Sequence, residues 1–157
     1  MTLIDRAQPI VRKLELGSWL PLLLLRLFLG YFFFVTGLAH LKNLDSVTKY
    51  FISLDIPMPA FNAALSTGTE LIGGGLFMLG ALTRLVSIPL FINMVVATLT
   101  AKLKKVAGLG DFVELSEPLY ALVFFLYIFS GPGKASVDHA IMLATRKPAA
   151  LPPRATM

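Results

Sequence analysis

The sequence predicts an all-α membrane protein: an antiparallel bundle of four transmembrane helices, with a short surface helix between the first and the second. Composition is the first reason, because 56% of the residues are hydrophobic and only 15% are charged, where soluble domains have about 25% charged residues. The second is that Arg26, Glu70 and Glu117 lie within or at the edge of long apolar stretches. Charges in hydrocarbon are costly and normally face a bundle interior, a partner or a polar cavity, so we expect an internal polar site.

Four apolar stretches predict the four spans, at about residues 19–41, 60–82, 85–101 and 115–130. The last two are short against the roughly 20 residues that cross a bilayer. The segment DSVTKYFISLDI, between the first two spans, has apolar residues at helical spacing and predicts a short helix on the membrane surface. We therefore divide the chain into an amphipathic segment 1–18, a membrane domain 19–140 and a disordered cytoplasmic tail 141–157.

Basic residues predict the orientation. Eight Lys and Arg residues lie on the side that contains both termini and five on the other, which favours a multi-pass protein with both termini cytoplasmic. The net charge of +5 comes from residues at the ends of apolar runs, so it indicates membrane lipids as partners rather than nucleic acid. Residues 1–18 contain acids and Pro9 before any apolar run and do not resemble a cleaved signal peptide.

Several cofactor sites are excluded by residue usage. The chain has no cysteine, which removes disulfides, iron–sulfur ligation and covalent haem attachment. Its two histidines, His40 and His139, fall at opposite membrane faces in this topology and cannot share a metal. We therefore predict no metal site and no intrinsic cofactor, and any redox chemistry must use a borrowed cofactor or substrate.

Small and polar residues recur on one face of each predicted helix. In chain order these faces contain Arg26, Gly30, Gly37 and His40; Asn62, Ser66, Glu70 and Gly73; Asn93; and Glu117 and Tyr120. Glycines at helical spacing and the glycine run at 73–75 let neighbouring backbones approach closely, so Gly30, Gly37, Gly73 and Gly74 are predicted packing residues.

Each charged or aromatic candidate has two interpretations. Arg26 and Glu70 are within reach of each other and predict a buried ion pair, which serves either structure or function. Glu117 is either a boundary residue in water or a cavity acid that exchanges a proton. His40 is either interfacial or a ligand-binding residue, and Tyr120 either binds a ligand or belongs to an aromatic belt.

The order of these motifs resembles the DoxX family of small four-helix membrane proteins. The resemblance covers about residues 20–140 and depends on GYFFFVTGLAHL after Arg26, ELIGGGLFMLGALTR, Glu117 with Tyr120, and GPGKASVD at residues 131–138. His40 stands where such proteins often have Lys. The resemblance implies a bacterial inner-membrane location and raises a quinone-linked redox role, since the family takes its name from a subunit of a thiosulfate:quinone oxidoreductase.

Three functions are consistent with the sequence. In the first, the chain is a redox-associated subunit that binds a quinone or similar hydrophobic ligand in a polar cavity within the bundle. Glu117 and Glu70 would then handle protons, and Arg26, His40, Tyr120 and Asn93 would bind the ligand. As an enzyme it would be a quinone-linked oxidoreductase subunit that acts with a protein partner or as a homo-oligomer. The alternatives are a non-catalytic membrane anchor or assembly partner and, with less support, a small transporter, because no inverted repeat is visible.

Overall fold

The computed structural model describes residues 17, 19–102, 106 and 108–145, and all of its regular structure is helical. The helices are α1 (Trp19–Lys42), α2 (Leu44–Ser53), α3 (Pro59–Gly68), α4 (Gly74–Leu79), α5 (Thr83–Ala97), α6 (Leu109–Glu114), α7 (Ser116–Ser130) and α8 (Val137–Thr145). π-Helical turns follow α3 at Thr69–Gly73 and α5 at Thr98–Lys102. The described residues contain no strand, so the all-α prediction is confirmed.

Length and hydropathy identify the segments that suit a membrane. Trp19–Lys42 and Thr83–Ala101 are both long and apolar enough to cross one, and Ser116–Ser130 is a shorter apolar helix. Residues 59–79 form one continuous helical stretch from α3 to α4, which contains the predicted polar position Glu70. The predicted ends of these four stretches agree with the structure to within about three residues.

Contacts between α1 and the α3–α4 stretch define an antiparallel pair. Gly30 lies against Met78, and Gly37 lies against Leu71, so later residues of α1 meet earlier residues of its neighbour. The pair from α3–α4 to α5 is antiparallel as well, because Ser66 meets Asn93 while Gly73 meets Leu90.

Helix α7 completes the core with an aromatic cluster. The Phe124 ring lies 5.0 Å from that of Phe33 on α1 and 5.2 Å from that of Phe77 on α4, and Tyr127 lies 4.8 Å from Phe77. These centroid distances and the near-perpendicular ring planes are the edge-to-face geometry that aromatic pairs favour. All four rings are almost fully buried, so this cluster joins three helices at the centre of the fold.

The predicted segment between the first two spans is helical over Leu44–Ser53, and it packs on α3. Its position at a membrane surface stays a prediction. Helix α8 continues to Thr145, so the predicted domain boundary at residue 140 falls inside a helix, and residues 141–145 are helical rather than part of a disordered tail. Residues 146–157 lie outside the described residues, as does the N-terminal segment apart from Gly17.

Candidate functional site

A buried carboxylate and a partly exposed imidazole form the clearest polar site. Nδ1 of His40, in the last turn of α1, lies 2.7 Å from Oε2 of Glu70. The Glu70 side chain is 8% exposed and that of His40 is 41% exposed. A buried ionisable group needs hydrogen-bond partners. Here the partner, His40, also reaches the surface at the end of the bundle where α1 ends. We call this end the His40 end.

Two neutral side chains extend this contact across to α5. Asn93 Nδ2 donates a hydrogen bond of 3.2 Å to Glu70 Oε1, and the Ser66 hydroxyl donates one of 2.9 Å to Asn93 Oδ1. Both carboxyl oxygens of Glu70 are therefore in hydrogen bonds, one from the Asn93 amide of α5 and one with the α1 imidazole. We call these four residues, Ser66, Asn93, Glu70 and His40, the polar chain.

Backbone features of two helices bring this chain together. Glu70 lies in the π-helical turn Thr69–Gly73, and such turns interrupt regular side-chain periodicity and are frequent at functional sites. On α1, a Cβ at Gly37 would be 2.4 Å from the backbone nitrogen of Leu71. Only glycine allows that approach without movement of either backbone, and it brings His40, one turn further along α1, to Glu70.

The predicted ion pair between Arg26 and Glu70 is wrong. Arg26 is buried, and its guanidinium donates from Nη1 to the carbonyl of Pro132 and from Nη2 to the carbonyl of Ala135, the latter at 2.6 Å. The sequence argument placed both charges at reachable depths but had no information on the loop after α7. That loop returns over the end of the bundle and supplies carbonyl acceptors for the two terminal nitrogens of Arg26.

Asp138 is a structural residue whose role the sequence analysis missed. Its carboxylate accepts hydrogen bonds from the backbone N–H groups of Leu82 and Thr83, at 2.7 and 3.0 Å, and its own N–H donates to the Gly80 carbonyl. It therefore caps the start of α5 from a distant part of the chain. The only sequence signal was its place in GPGKASVD, and helix capping is usually local.

Glu117 and Tyr120 lie apart from these contacts. The Tyr120 ring contacts Phe32 and Phe33 at centroid distances of 5.5 and 5.6 Å. Phe33 precedes His40 by about 10 Å along α1 at 1.5 Å per residue, so Tyr120 lies at a different depth from His40. Glu117 is half-buried in the first turn of α7, where the Ser116 hydroxyl lies 3.3 Å from its Oε2.

The four predicted packing glycines lie at close contacts between helices. Added Cβ atoms at Gly30 and Gly74 would be 2.6 Å from the backbones of Met78 and Phe34, and one at Gly73 would be 3.2 Å from the Leu90 side chain. By contrast, a Cβ at Gly68 would meet nothing within 4 Å. The shortest of these contacts are those in which the backbone of α1 lies directly against the backbone of α4.

Hydrogen bonding and proton exchange are the chemistry that the polar chain offers. Imidazole and carboxylate are the usual general acid–base groups of proteins, and neither Asn93 nor Ser66 ionises in the normal range. Within the described part of the chain, no group of three or more His, Cys, Asp or Glu side chains could hold a metal ion.

A comparison with models of protein families finds one match that covers more than half of the chain. The family model described as DoxX matches residues 21–103, which include α1 from residue 21 onward, Glu70 and Asn93. The chain belongs to the DoxX family. The match therefore contains all four residues of the polar chain, whereas Asp138 and Glu117 lie outside the matched segment.

Two relatives are similar to this DoxX protein over more than half of its length. "Putative oxidoreductase CatD" of Bacillus subtilis is 36% identical over 93 residues, which are 59% of this chain and 65% of that protein. "Uncharacterized membrane protein Rv3486" of Mycobacterium tuberculosis is 31% identical over 130 residues, 74% of this chain and 78% of that protein. The alignment with the first relative thus spans less than two thirds of its length. No solved structure matches the chain.

Proposed function

We propose that this DoxX protein is an integral membrane subunit of a redox assembly, and that it binds a quinone or similar small hydrophobic ligand at the His40 end. The polar chain is the observation that supports the proposal. A neutral headgroup in a membrane needs hydrogen-bond partners and a route for protons, and a buried Glu70 that reaches the surface through His40 offers both. The name of the Bacillus subtilis relative, "Putative oxidoreductase CatD", favours the same class.

In the proposed arrangement α1, α3–α4, α5 and α7 cross the plasma membrane as an up-and-down bundle with both termini cytoplasmic. Their four helical stretches and the antiparallel contacts between neighbours support this topology. The His40 end then faces away from the cytoplasm, and the Arg26 end, closed by the loop at Pro132–Ala135 and by Asp138, faces the cytoplasm.

We assign the proposed proton-handling role to Glu70 rather than to both Glu70 and Glu117. Glu70 is in contact with His40 and Asn93, two residues expected to bind ligand, and Glu117 lies in the first turn of α7. Tyr120 and Arg26 then shape the core and the opposite end of the bundle. A matched set of carboxylate variants can separate these roles.

Quinone extraction from purified protein tests the proposal. We expect protein purified from membranes in mild detergent to yield lipid quinone in a stoichiometric amount, measured by its ultraviolet spectrum before and after reduction. Glu70→Gln and His40→Gln should lower the yield several-fold, while Glu117→Gln and the exposed control Glu114→Gln should leave it unchanged.

Two outcomes would redirect the proposal. Loss of quinone in Glu117→Gln but not in Glu70→Gln would return the site to α7. If neither the parent nor any variant retains quinone, and all support the same partner complex, the chain is a non-catalytic membrane anchor and the polar chain serves packing alone.

A further inference from the structure

The polar chain has a direction, because hydrogen-bond donors and acceptors in it are not interchangeable. An ionised carboxylate only accepts hydrogen bonds, so when Glu70 is ionised, Asn93 must donate its NH₂ and His40 must donate from Nδ1. The Ser66 hydroxyl then donates to the Asn93 oxygen, as observed at 2.9 Å. This pattern fixes the neutral imidazole in the form that has its proton on Nδ1, which leaves Nε2 with a lone pair.

Position decides which atom can exchange a proton with the surroundings. Both oxygens of Glu70 are in hydrogen bonds and the side chain is 8% exposed, whereas 41% of the His40 side chain is exposed. Among the described residues, the partners of Glu70 are His40 from α1 and the neutral Asn93 from α5, so His40 is the titratable group that faces it. Nε2 makes no hydrogen bond within the described part of the chain.

We infer that His40 and Glu70 act as one unit that holds a single exchangeable proton, and that this proton enters and leaves at Nε2 of His40, on the His40 end of the bundle. When the proton is bound, the unit is either an imidazolium with a carboxylate or an imidazole with a carboxylic acid. Both forms have hydrogen on Nε2 and are neutral overall. When the proton leaves, Nδ1 keeps its hydrogen against the Glu70 carboxylate, and Nε2 has the lone pair.

The site of proton exchange is assigned from the geometry, and only its biological use rests on the proposed function. With that function, the assignment specifies the chemistry that the ligand needs. A ligand served by this unit has an O–H or N–H group that gives its proton to Nε2, or an oxygen that receives one from it. In a step of that kind the ligand's O–H bond breaks, the proton bonds to Nε2 and the electron pair stays on the ligand oxygen. Glu70 is the residue that orients His40, and Asn93 and Ser66 position Glu70.

Nitrogen-15 magnetic resonance tests the assignment without any ligand or partner. The chain has two histidines, so the His139→Gln background contains His40 alone. We expect [¹⁵N]histidine protein in lipid bilayers to show the Nε2 signal change from protonated to unprotonated as the pH rises, with Nδ1 protonated at the high-pH end of the series. In Glu70→Leu, Nδ1 has no acceptor, and the form with hydrogen on Nε2 should become the majority at high pH. Glu114→Leu should match the parent.

The parent spectrum alone can overturn the assignment, even if Glu70→Leu fails to fold. Loss of hydrogen from Nδ1 rather than Nε2 at high pH would do so, as would the parent pattern in a folded Glu70→Leu protein. These results are independent of quinone extraction. If quinone is retained but Nδ1 is the nitrogen that loses its hydrogen, only this inference is overturned. If Nε2 changes as predicted but no quinone is found, only the proposed redox ligand is overturned.

Discussion

Gly37 lies against Leu71 so closely that a Cβ on Gly37 would come within 2.4 Å of the Leu71 backbone nitrogen. This contact is one turn away from the bond between His40 and Glu70 and sets the separation of the two helices there. The contact and the polar chain should therefore respond to the same substitution.

Gly37→Ala should destabilise the protein and lengthen the contact between His40 and Glu70. The added methyl group must push two backbones apart, and overpacking of this kind typically costs about 1–3 kcal/mol. Thermal unfolding in detergent measures the loss. Gly68→Ala is the matched control, because a Cβ there meets nothing within 4 Å and alanine favours a helix over glycine. Equal melting temperatures for the two variants would contradict the contact.

Arg26 and Glu70 should behave as independent residues in a double-mutant cycle. Their hydrogen-bond partners are different, so the effects of Arg26→Met and Glu70→Gln on unfolding free energy should add to within about 0.5 kcal/mol. A cycle between His40→Phe and Glu70→Gln should instead show coupling of about 1 kcal/mol or more, since those side chains are in contact. Strong coupling in the first cycle would restore the ion pair that the sequence suggested.

Arg26→Lys should lower stability by about 1.5–3 kcal/mol, the usual value of a hydrogen bond that involves a charged group. Arginine presents several donors in a fixed fork, and lysine has one ammonium group on a flexible stem. A single ammonium cannot reproduce the bonds to Pro132 and Ala135. Limited proteolysis between residues 131 and 136 would report the freed loop, and an unchanged cleavage rate would show that the loop is held by other contacts.

Asp138→Ala should cost about 1–2 kcal/mol, as expected for loss of a helix cap. The substitution leaves the N–H groups of Leu82 and Thr83 without their acceptor. Asp138→Asn should lose less, because its side-chain oxygen still accepts one of the two bonds. Asp45→Asn, in the exposed first turn of α2, is the control in the same unfolding assay. If Asp138→Ala has the same melting temperature as Asp45→Asn, the cap contributes nothing to stability.

Topology can be measured with introduced cysteines, since the chain has none of its own. We expect a membrane-impermeant thiol reagent added to intact cells to label Lys49→Cys but not Lys134→Cys. Both positions are exposed in the structure. Labelling of position 134 from outside would invert the proposed orientation.

The helices and their approximate ends could be predicted from the sequence alone, because a span of apolar residues and its flanking polar residues are local properties of the chain. The sequence also identified the faces that contain Arg26, His40, Glu70 and Asn93, since helical spacing needs no tertiary information. The same spacing singled out glycines that the structure places at backbone contacts.

Which polar residues are partners depends on the tertiary structure. The π-helical turn at Thr69–Gly73 interrupts the regular helical spacing on which the sequence argument depended. The register of α1 against Leu71 brings His40 rather than Arg26 to Glu70. Arg26 and Asp138 make their bonds with a loop and a turn that are distant in sequence. Partners of this kind depend on how the chain returns on itself, and a buried charge accepts whichever hydrogen-bonding groups that return brings within reach.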